Sequence, residues 1–184
     1  MLSFTREIEA LSDQNVNLCF QCSKCSSGCP LAYRMDLKPA QVVHCIRLGR
    51  EEQVLNCNAI WFCAACETCT ARCPQGVELA AVMNAARLLA GRKGIAPQVP
   101  EVARFFETSI ENMRMFGRTS DLLLIAALRL KSRDLFSDLP LAFKLLERGK
   151  LNPLKLPSGA AHFRRIHQRV REIEMSDAKV PGEK

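Results

Sequence analysis

The sequence predicts an all-α protein, and three observations support this. No stretch shows the alternating apolar and polar pattern of a β-strand, whereas apolar residues recur at three- and four-residue steps. All ten cysteines lie between residues 19 and 73, and eight of them form two groups joined by 33 residues that have a helical pattern throughout. With 184 residues, of which 48% are hydrophobic, the chain can form a helical module and a helical extension.

Eight of the cysteines form one motif, C-x2-C-x2-C-x3-C-P, that occurs twice. Three thiolates at this spacing can bind three corners of a 4Fe-4S cubane, and the fourth cysteine typically ligates the other cluster of a pair. We therefore expect two 4Fe-4S clusters. The expected ligands are Cys19, Cys22, Cys25 and Cys73 for the first cluster, and Cys63, Cys66, Cys69 and Cys29 for the second.

Other uses of cysteine fit the pattern less well. A structural zinc site needs two C-x2-C pairs or a Cys/His mixture, and it does not require a third cysteine in register. A disulfide framework suits small secreted chains, and the acidic residues near the N-terminus do not match an export signal. No apolar run is long enough for a transmembrane segment, so a cytoplasmic location is expected.

The net charge of +7 raises the question of nucleic-acid binding. Much of the excess lies beyond residue 90, with acidic residues interspersed, and the chain has only one Trp and one Tyr for base stacking. We therefore expect no nucleic acid and interpret the basic residues as a solvated or partner-facing surface.

Helices are predicted on both sides of each cysteine group. Residues 3–13 place Phe4, Ile8 and Leu11 on one face. A second helix opens at 36–39, with Asp36 as a possible cap, and ends at Gly49. A short helix over 50–56 precedes the second motif, and the helix after it stops at Gly91.

The C-terminal part is predicted to be a helical extension. A helix over 100–116 carries a Met and Phe stripe, for which core is favoured over an exposed docking face. Further helices are expected over 121–132, 138–149 and 160–175, with a proline-marked arm at 151–159. The last helix should turn Phe163, Ile166, Val170 and Ile173 inward.

These elements give four predicted segments. They are an N-terminal helix at 1–18, a helical ferredoxin module with both clusters at 19–94, a helical partner-docking extension at 95–175 and a disordered tail at 176–184.

The remaining polar and sulfur residues receive structural interpretations. Cys45 and Cys57 fall outside the motifs and are expected to be buried as small apolar residues. The three histidines, His44, His162 and His167, show no spacing typical of a second metal site. Trp61 directly precedes the second motif and should shield its cluster from water.

Closed cysteine ligation leaves no iron position for a substrate, and the sequence has no phosphate loop, nucleophile elbow or dinucleotide fingerprint. The residues themselves therefore predict a non-catalytic redox subunit that relays single electrons.

Six segments resemble the C-type subunit of heterodisulfide reductase. They are residues 13–19, 60–74, 82–84, 116–118, 138–140 and 149–157. The resemblance implies a hetero-oligomer in which this chain connects a flavin and iron-sulfur A-type subunit to a catalytic B-type subunit acting on a disulfide-type substrate. The B-type subunit of this family carries adjacent cysteine pairs, and this sequence contains none.

Two alternatives stay open. An iron-sulfur subunit of a succinate or fumarate type dehydrogenase would typically add a 2Fe-2S domain with C-x4-C-x2-C spacing, which is missing before Cys19. A free dicluster ferredoxin would be smaller and usually acidic, whereas this chain is basic and carries a long helical extension.

Overall fold

The computed structural model describes residues 2–117, 119, 124–125, 127–128 and 159–177. Over these residues it contains α-helices and short 3-10 helices but no β-strand, which confirms the predicted all-α class. No helix within the described ranges is both long and apolar enough to cross a membrane. Most of the predicted helix over 121–132, the whole of that over 138–149, nearly all of the arm at 151–159 and the tail beyond 177 lie outside them.

The chain divides into two compact units, Met1–Ala103 and Arg104–Lys184. The sequence-based boundaries at 18, 94 and 175 separate segments by predicted role, whereas these two units are defined by packing. Those boundaries therefore stay predictions.

Unit 1 contains both cysteine motifs among short helices. These are α1 (Leu2–Ser12), α2 (Lys24–Ser27), α3 (Pro39–Arg47), α4 (Glu51–Leu55), α5 (Ala59–Phe62), α6 (Thr68–Ala71) and α7 (Leu79–Arg92), with 3-10 turns at Val16–Leu18 and Ala32–Arg34. Helix α8 (Pro100–Phe116) begins in unit 1, and α9 (Ala160–Asp177) lies in unit 2.

The core of unit 1 forms where α1 packs on α3 and α7. Phe4 and Ile8 of α1 are fully buried, as the predicted face requires. The hydroxyl of Thr5 donates a hydrogen bond to the carbonyl of Ile46 at 2.7 Å, which ties α1 to α3. Leu11, the third member of the predicted face, is packed against the same core. These helices form the frame that carries the cysteine loops.

Helices α3 and α7 are each followed by a glycine in the left-handed conformation. Gly49 has φ of +66° after α3, as predicted. Helix α7, in contrast, continues through Gly91 to Arg92, and Gly94 takes the left-handed conformation with φ of +68°. The predicted stop at Gly91 is therefore corrected to Gly94, because only a glycine with positive φ closes the helix in this way.

Asp36 does not cap α3, contrary to the prediction. Lys38 is the N-cap, followed by Pro39 in the first turn. The Asp36 carboxylate instead accepts hydrogen bonds from the backbone N–H groups of Leu37, Asn58 and Ala59, at 2.6, 2.8 and 3.2 Å. The Asn58 side-chain oxygen accepts from the Asp36 N–H in return. The carboxylate thus fixes the start of α5, the helix that leads into the second motif.

The apolar stripe of α8 is exposed, contrary to the prediction that it forms core. Phe105 and Ile110 keep 45% and 43% of their surface exposed. Thr108 and Asn112, one turn apart, keep only 3% and 2%. Periodicity marks an apolar face but does not say what covers it, and a docking role for this face stays a prediction. Other members of the predicted stripe are exposed or half-buried: Phe106, Val102, Met113 and Phe116.

The inward stripe predicted for α9 is also corrected. Ile166, Val170 and Ile173 are about half exposed, and Phe163 is half-buried beside His167. An apolar stripe about one residue wide in a helix otherwise rich in Arg and Glu offers little area to bury.

We expect Asp36→Ala to destabilise unit 1 by about 1–3 kcal/mol, because three backbone N–H groups lose their acceptor. Asp36→Asn keeps one acceptor oxygen, so its free energy of unfolding should lie between those of the wild type and the alanine variant. Thermal unfolding followed by circular dichroism under anoxia measures the order. Equal stability of all three proteins would contradict this role of the carboxylate.

Candidate metal centre

The two cysteine loops share one unusual backbone conformation. Gln21 and Ala65, each just before the second cysteine of its motif, have φ of +60° and +49°. Ser23 and Glu67, each just after it, have φ of +61° and +58° and are the N-caps of α2 and α6. The duplicated motif therefore folds twice into the same loop.

Left-handed residues other than glycine are costly, about 1–3 kcal/mol each, and they persist where surrounding contacts or a ligand require them. Among the described residues, the only other such position is Asp13. Backbone loops of this type turn successive N–H groups into anion-binding concavities, including those of iron-sulfur sites. No sequence pattern indicated this conformation, since none of the four residues is Gly, and none is Asn.

One cavity brings together cysteines from both motifs. Cys63, Cys66 and Cys69 of the second loop line it together with Cys29 of the first. Cys29 and Cys63 are close enough to interact electrostatically. These four thiols are the set predicted to bind the second cluster. The rest of the lining is almost entirely apolar: Pro30, Leu31, Met35, Pro39, Ala64, Thr68, Leu79, Ala80 and Met83.

The four cysteines predicted to bind the first cluster come from two places, the first loop and the end of the second motif. Cys25 is buried, Cys19 is half-buried and Cys22 is exposed. The fourth member, Cys73, is half-buried and follows α6.

The C-terminal ends of the two motifs lie side by side. Arg72, the residue before Cys73, packs directly on Gly28, the residue before Cys29. A Cβ on Gly28 would lie 2.4 Å from Arg72 Nη1. Helix α2 also contacts α6, so the approach involves both loops.

The arrangement suits a cubane, whose four thiolates each bind a different iron and so surround a cavity. No three His, Cys, Asp or Glu side chains in the described part of the chain lie close enough to share a single metal ion. Where both clusters are bound, they supply sites that take up and release single electrons.

Burial raises the pKa of the thiols of Cys25, Cys63 and Cys69. The exposed Cys66 is different, because a hydrogen bond with the Thr68 hydroxyl at 3.4 Å lowers its pKa. Iron binding must therefore displace protons that burial holds on several ligands.

Each loop is also held by an arginine that sequence reasoning missed. Arg47 on α3 donates to the Cys19 carbonyl at 2.7 Å. Arg87 on α7 donates to the Cys63 carbonyl at 2.8 Å and to the Ile60 carbonyl at 2.6 and 2.9 Å. Both guanidinium groups thus bind the first cysteine of a motif. Their separations of 28 and 24 residues from those cysteines follow no known pattern.

Trp61, on α5, is buried, and its indole N–H has no hydrogen-bond partner among the described residues. Such an unpaired buried donor costs about 1–3 kcal/mol. The shielding role proposed for Trp61 stays a prediction.

The residues interpreted as structural are placed as follows. Cys45 and Cys57 are buried in the core, which confirms that expectation, and burial raises the pKa of Cys57 to about 11. His44 and His162 are exposed, and the His167 ring lies 6.3 Å from that of Phe163.

Comparison with known proteins supports the same chemistry. Residues 15–77 match the 4Fe-4S dicluster domain family. The C-type iron-sulfur subunit of the CoB–CoM heterodisulfide reductase of Methanopyrus kandleri is 33% identical over 100 residues, covering 54% of this chain and 50% of the relative. The C-type subunit of the H2:CoB-CoM heterodisulfide,ferredoxin reductase of Methanothermobacter thermautotrophicus is 30% identical over 103 residues, covering 55% and 56%.

A relative of a different kind is also similar. The 8-methylmenaquinol:fumarate reductase iron-sulfur subunit of Wolinella succinogenes is 31% identical over 122 residues, which is 66% of this chain but 36% of the relative. The chain spans about half the length of the two C-type relatives. The resemblance to the C-type subunit of heterodisulfide reductase and the presence of 4Fe-4S clusters are thereby confirmed.

We expect Ala65→Gly to stabilise the loaded protein by up to about 1 kcal/mol, because glycine adopts positive φ without strain. Ala71→Gly, at the last residue of α6, is the control, because glycine relieves no strain there and should not raise stability. The midpoint temperature of cluster bleaching reports both. Shifts in the same direction would contradict the assigned strain at Ala65.

Proposed function

We propose that this chain is the electron-transfer subunit of a heterodisulfide reductase-like complex. The proposal is supported by its 4Fe-4S dicluster domain and by its similarity to the C-type subunit of heterodisulfide reductase. It would relay single electrons between a flavin-containing A-type subunit and a catalytic B-type subunit that acts on a disulfide-type substrate. The observation that supports this most directly is the cavity lined by cysteines of both motifs.

The ligand sets belong to the same proposal. Cys29 shares its cavity with Cys63, Cys66 and Cys69, which supports cross-ligation of the second cluster. Symmetry of the two motifs, and the contact of Arg72 with Gly28, support Cys73 as the fourth ligand of the first cluster, with Cys19, Cys22 and Cys25.

Both clusters would have four cysteine ligands, so that no iron keeps an open position for substrate. Closed clusters in a small helical frame exchange electrons and leave the bond chemistry to another subunit. This chain is therefore proposed as a non-catalytic part of an oxidoreductase.

The exposed stripe of α8 supports a docking role for the extension over 95–175. Phe105, Phe106 and Ile110 follow one another along one side of the helix and are each more than a third exposed. Exposed apolar patches of this kind mark protein interaction sites. We assign this stripe to the B-type subunit.

A second candidate is an iron-sulfur subunit of a fumarate reductase type of complex. The similarity to the Wolinella succinogenes protein extends over 66% of the chain, further than the matches to the two C-type relatives. The partner proteins distinguish the two candidates, since both use 4Fe-4S clusters.

Pairs of cysteine variants test the ligand sets through iron content. With two cubanes the wild type should hold about eight irons per chain. The double variant Cys29→Ala/Cys63→Ala removes two ligands of one cluster, so about four irons should remain. Cys25→Ala/Cys29→Ala removes one ligand from each cluster and should leave almost none.

The opposite result, with about four irons retained by Cys25→Ala/Cys29→Ala and almost none by Cys29→Ala/Cys63→Ala, would show that each motif binds its own cluster. Iron and sulfide analysis of anaerobically purified protein provides the measurement.

Anaerobic affinity purification from the native host tests the complex. We expect a flavin-containing subunit and a subunit with adjacent cysteine pairs to co-purify with this chain. Phe105→Asp/Ile110→Asp should reduce recovery of the B-type subunit at least tenfold, because two carboxylates would be buried unpaired. Ala10→Asp, on the exposed side of α1, is the control and should change nothing.

Mass spectrometry of the eluate identifies the partners. Co-purification with a quinone-linked dehydrogenase instead would favour the second candidate. Undiminished recovery of the B-type subunit with the double aspartate variant would rule out docking through α8.

A further inference from the structure

Two arginines occupy equivalent positions around the two loops but differ in solvent exposure. Arg47 and Arg87 each donate to the carbonyl of the first cysteine of a motif, Cys19 and Cys63 respectively. Arg47 is exposed, whereas Arg87 is half-buried and clamps a second carbonyl, that of Ile60.

The environment of Arg87 shows that its charge reaches the second loop. The half-buried guanidinium donates a hydrogen bond to the carbonyl of Cys63 at 2.8 Å. An arginine remains protonated under these conditions, so the positive charge is permanent. Cys63 also lines the four-cysteine cavity, which places this charge next to the proposed second cluster.

The same unit charge acts more strongly where water is excluded. The interaction between two charges at a given distance grows about fourfold when the effective dielectric constant falls from that of water to about 20. Arg47 is in contact with solvent, and so are the other charges of the loops, Lys24, Glu67 and Arg72. Ions and water therefore screen these exposed groups more strongly than they screen the half-buried guanidinium of Arg87.

We propose that Arg87 makes the cluster held by Cys63, Cys66, Cys69 and Cys29 easier to reduce than the cluster of the first loop. Electrons would therefore pass from the first loop to the second. This rests on the proposed function and adds a direction to it. In this transfer the first cluster would be oxidised by one electron and the second reduced by one, with no bond formed or broken and no proton moved.

The physical reason is the electrostatic effect of a fixed positive charge on the second cluster, which accepts the electron. A reduced cluster carries one more negative charge than the oxidised form, and a fixed cation nearby stabilises the more negative state. Arg87 touches the ligand's backbone and not the iron, so it is a positioning residue whose charge tunes the site.

Redox titration of the full chain, followed by electron paramagnetic resonance, tests the proposal. Arg87→Gln keeps an N–H donor and removes the charge, so it should reduce the reduction equilibrium constant of the higher-potential cluster about tenfold, which is 59 mV for one electron. Arg87→Lys keeps the charge and should shift the potential of that cluster much less. Arg47→Gln, the exposed counterpart, should move only the lower-potential cluster, and by less.

Equal shifts in Arg87→Gln and Arg87→Lys would show a purely structural role and overturn the proposal. A shift of the lower-potential cluster with Arg87→Gln, or no shift at all, would overturn it as well.

A second measurement does not depend on the Arg87 variants. Cys29→Ala/Cys63→Ala should keep only the first cluster, and the remaining signal should be the lower-potential one. If the higher-potential signal remains, the proposed direction is wrong. Iron content of the wild type well below about eight per chain would count against the proposed function itself and is read before any titration.

Discussion

The structure of unit 1 depends on the position of one cysteine between its two loops. Cys29 ends the first motif, yet it lines the cavity formed by Cys63, Cys66 and Cys69 of the second. The ends of the two motifs must therefore meet, and the helices between them must return the chain to its first loop.

The contact of Arg72 with Gly28 shows how closely the two ends approach. Any side chain larger than hydrogen at position 28 would meet the guanidinium.

Hydrogen bonds to backbone groups fix the position of α5, the helix that leads the chain into the second loop. Asp36 holds the start of α5 through Asn58 and Ala59. Arg87 holds its end through the carbonyls of Ile60 and Cys63. A helix of four residues has too few internal hydrogen bonds to be stable alone, so side chains from other segments position the second loop.

Spacing along the chain was enough to predict some features. The duplicated cysteine motif, the helical class and the buried face of α1 all follow from repeats of three or four residues.

Features that depend on the folded environment were missed. The carboxylate of Asp36 was assigned to the nearest helix start, although two of its three partners lie 22 and 23 residues away. The stripe of α8 was assigned to core, because periodicity reports an apolar face and not its cover. Arg47 and Arg87 showed no signal, since they act through carbonyls whose positions only the fold defines.

The loops also show where folding and metal binding are linked. Each loop holds two left-handed residues that are not glycine, and burial disfavours the thiolate form of Cys25, Cys63 and Cys69. The left-handed residues destabilise the loops without iron, whereas the raised thiol pKa values oppose iron binding, because coordination deprotonates the thiols. A sequence with glycine at these positions would relax the metal-free loops, but it would also allow them conformations in which the thiols diverge. Non-glycine residues disfavour the left-handed conformation, so coordination has to supply the free energy that holds each loop in the conformation that binds a cluster.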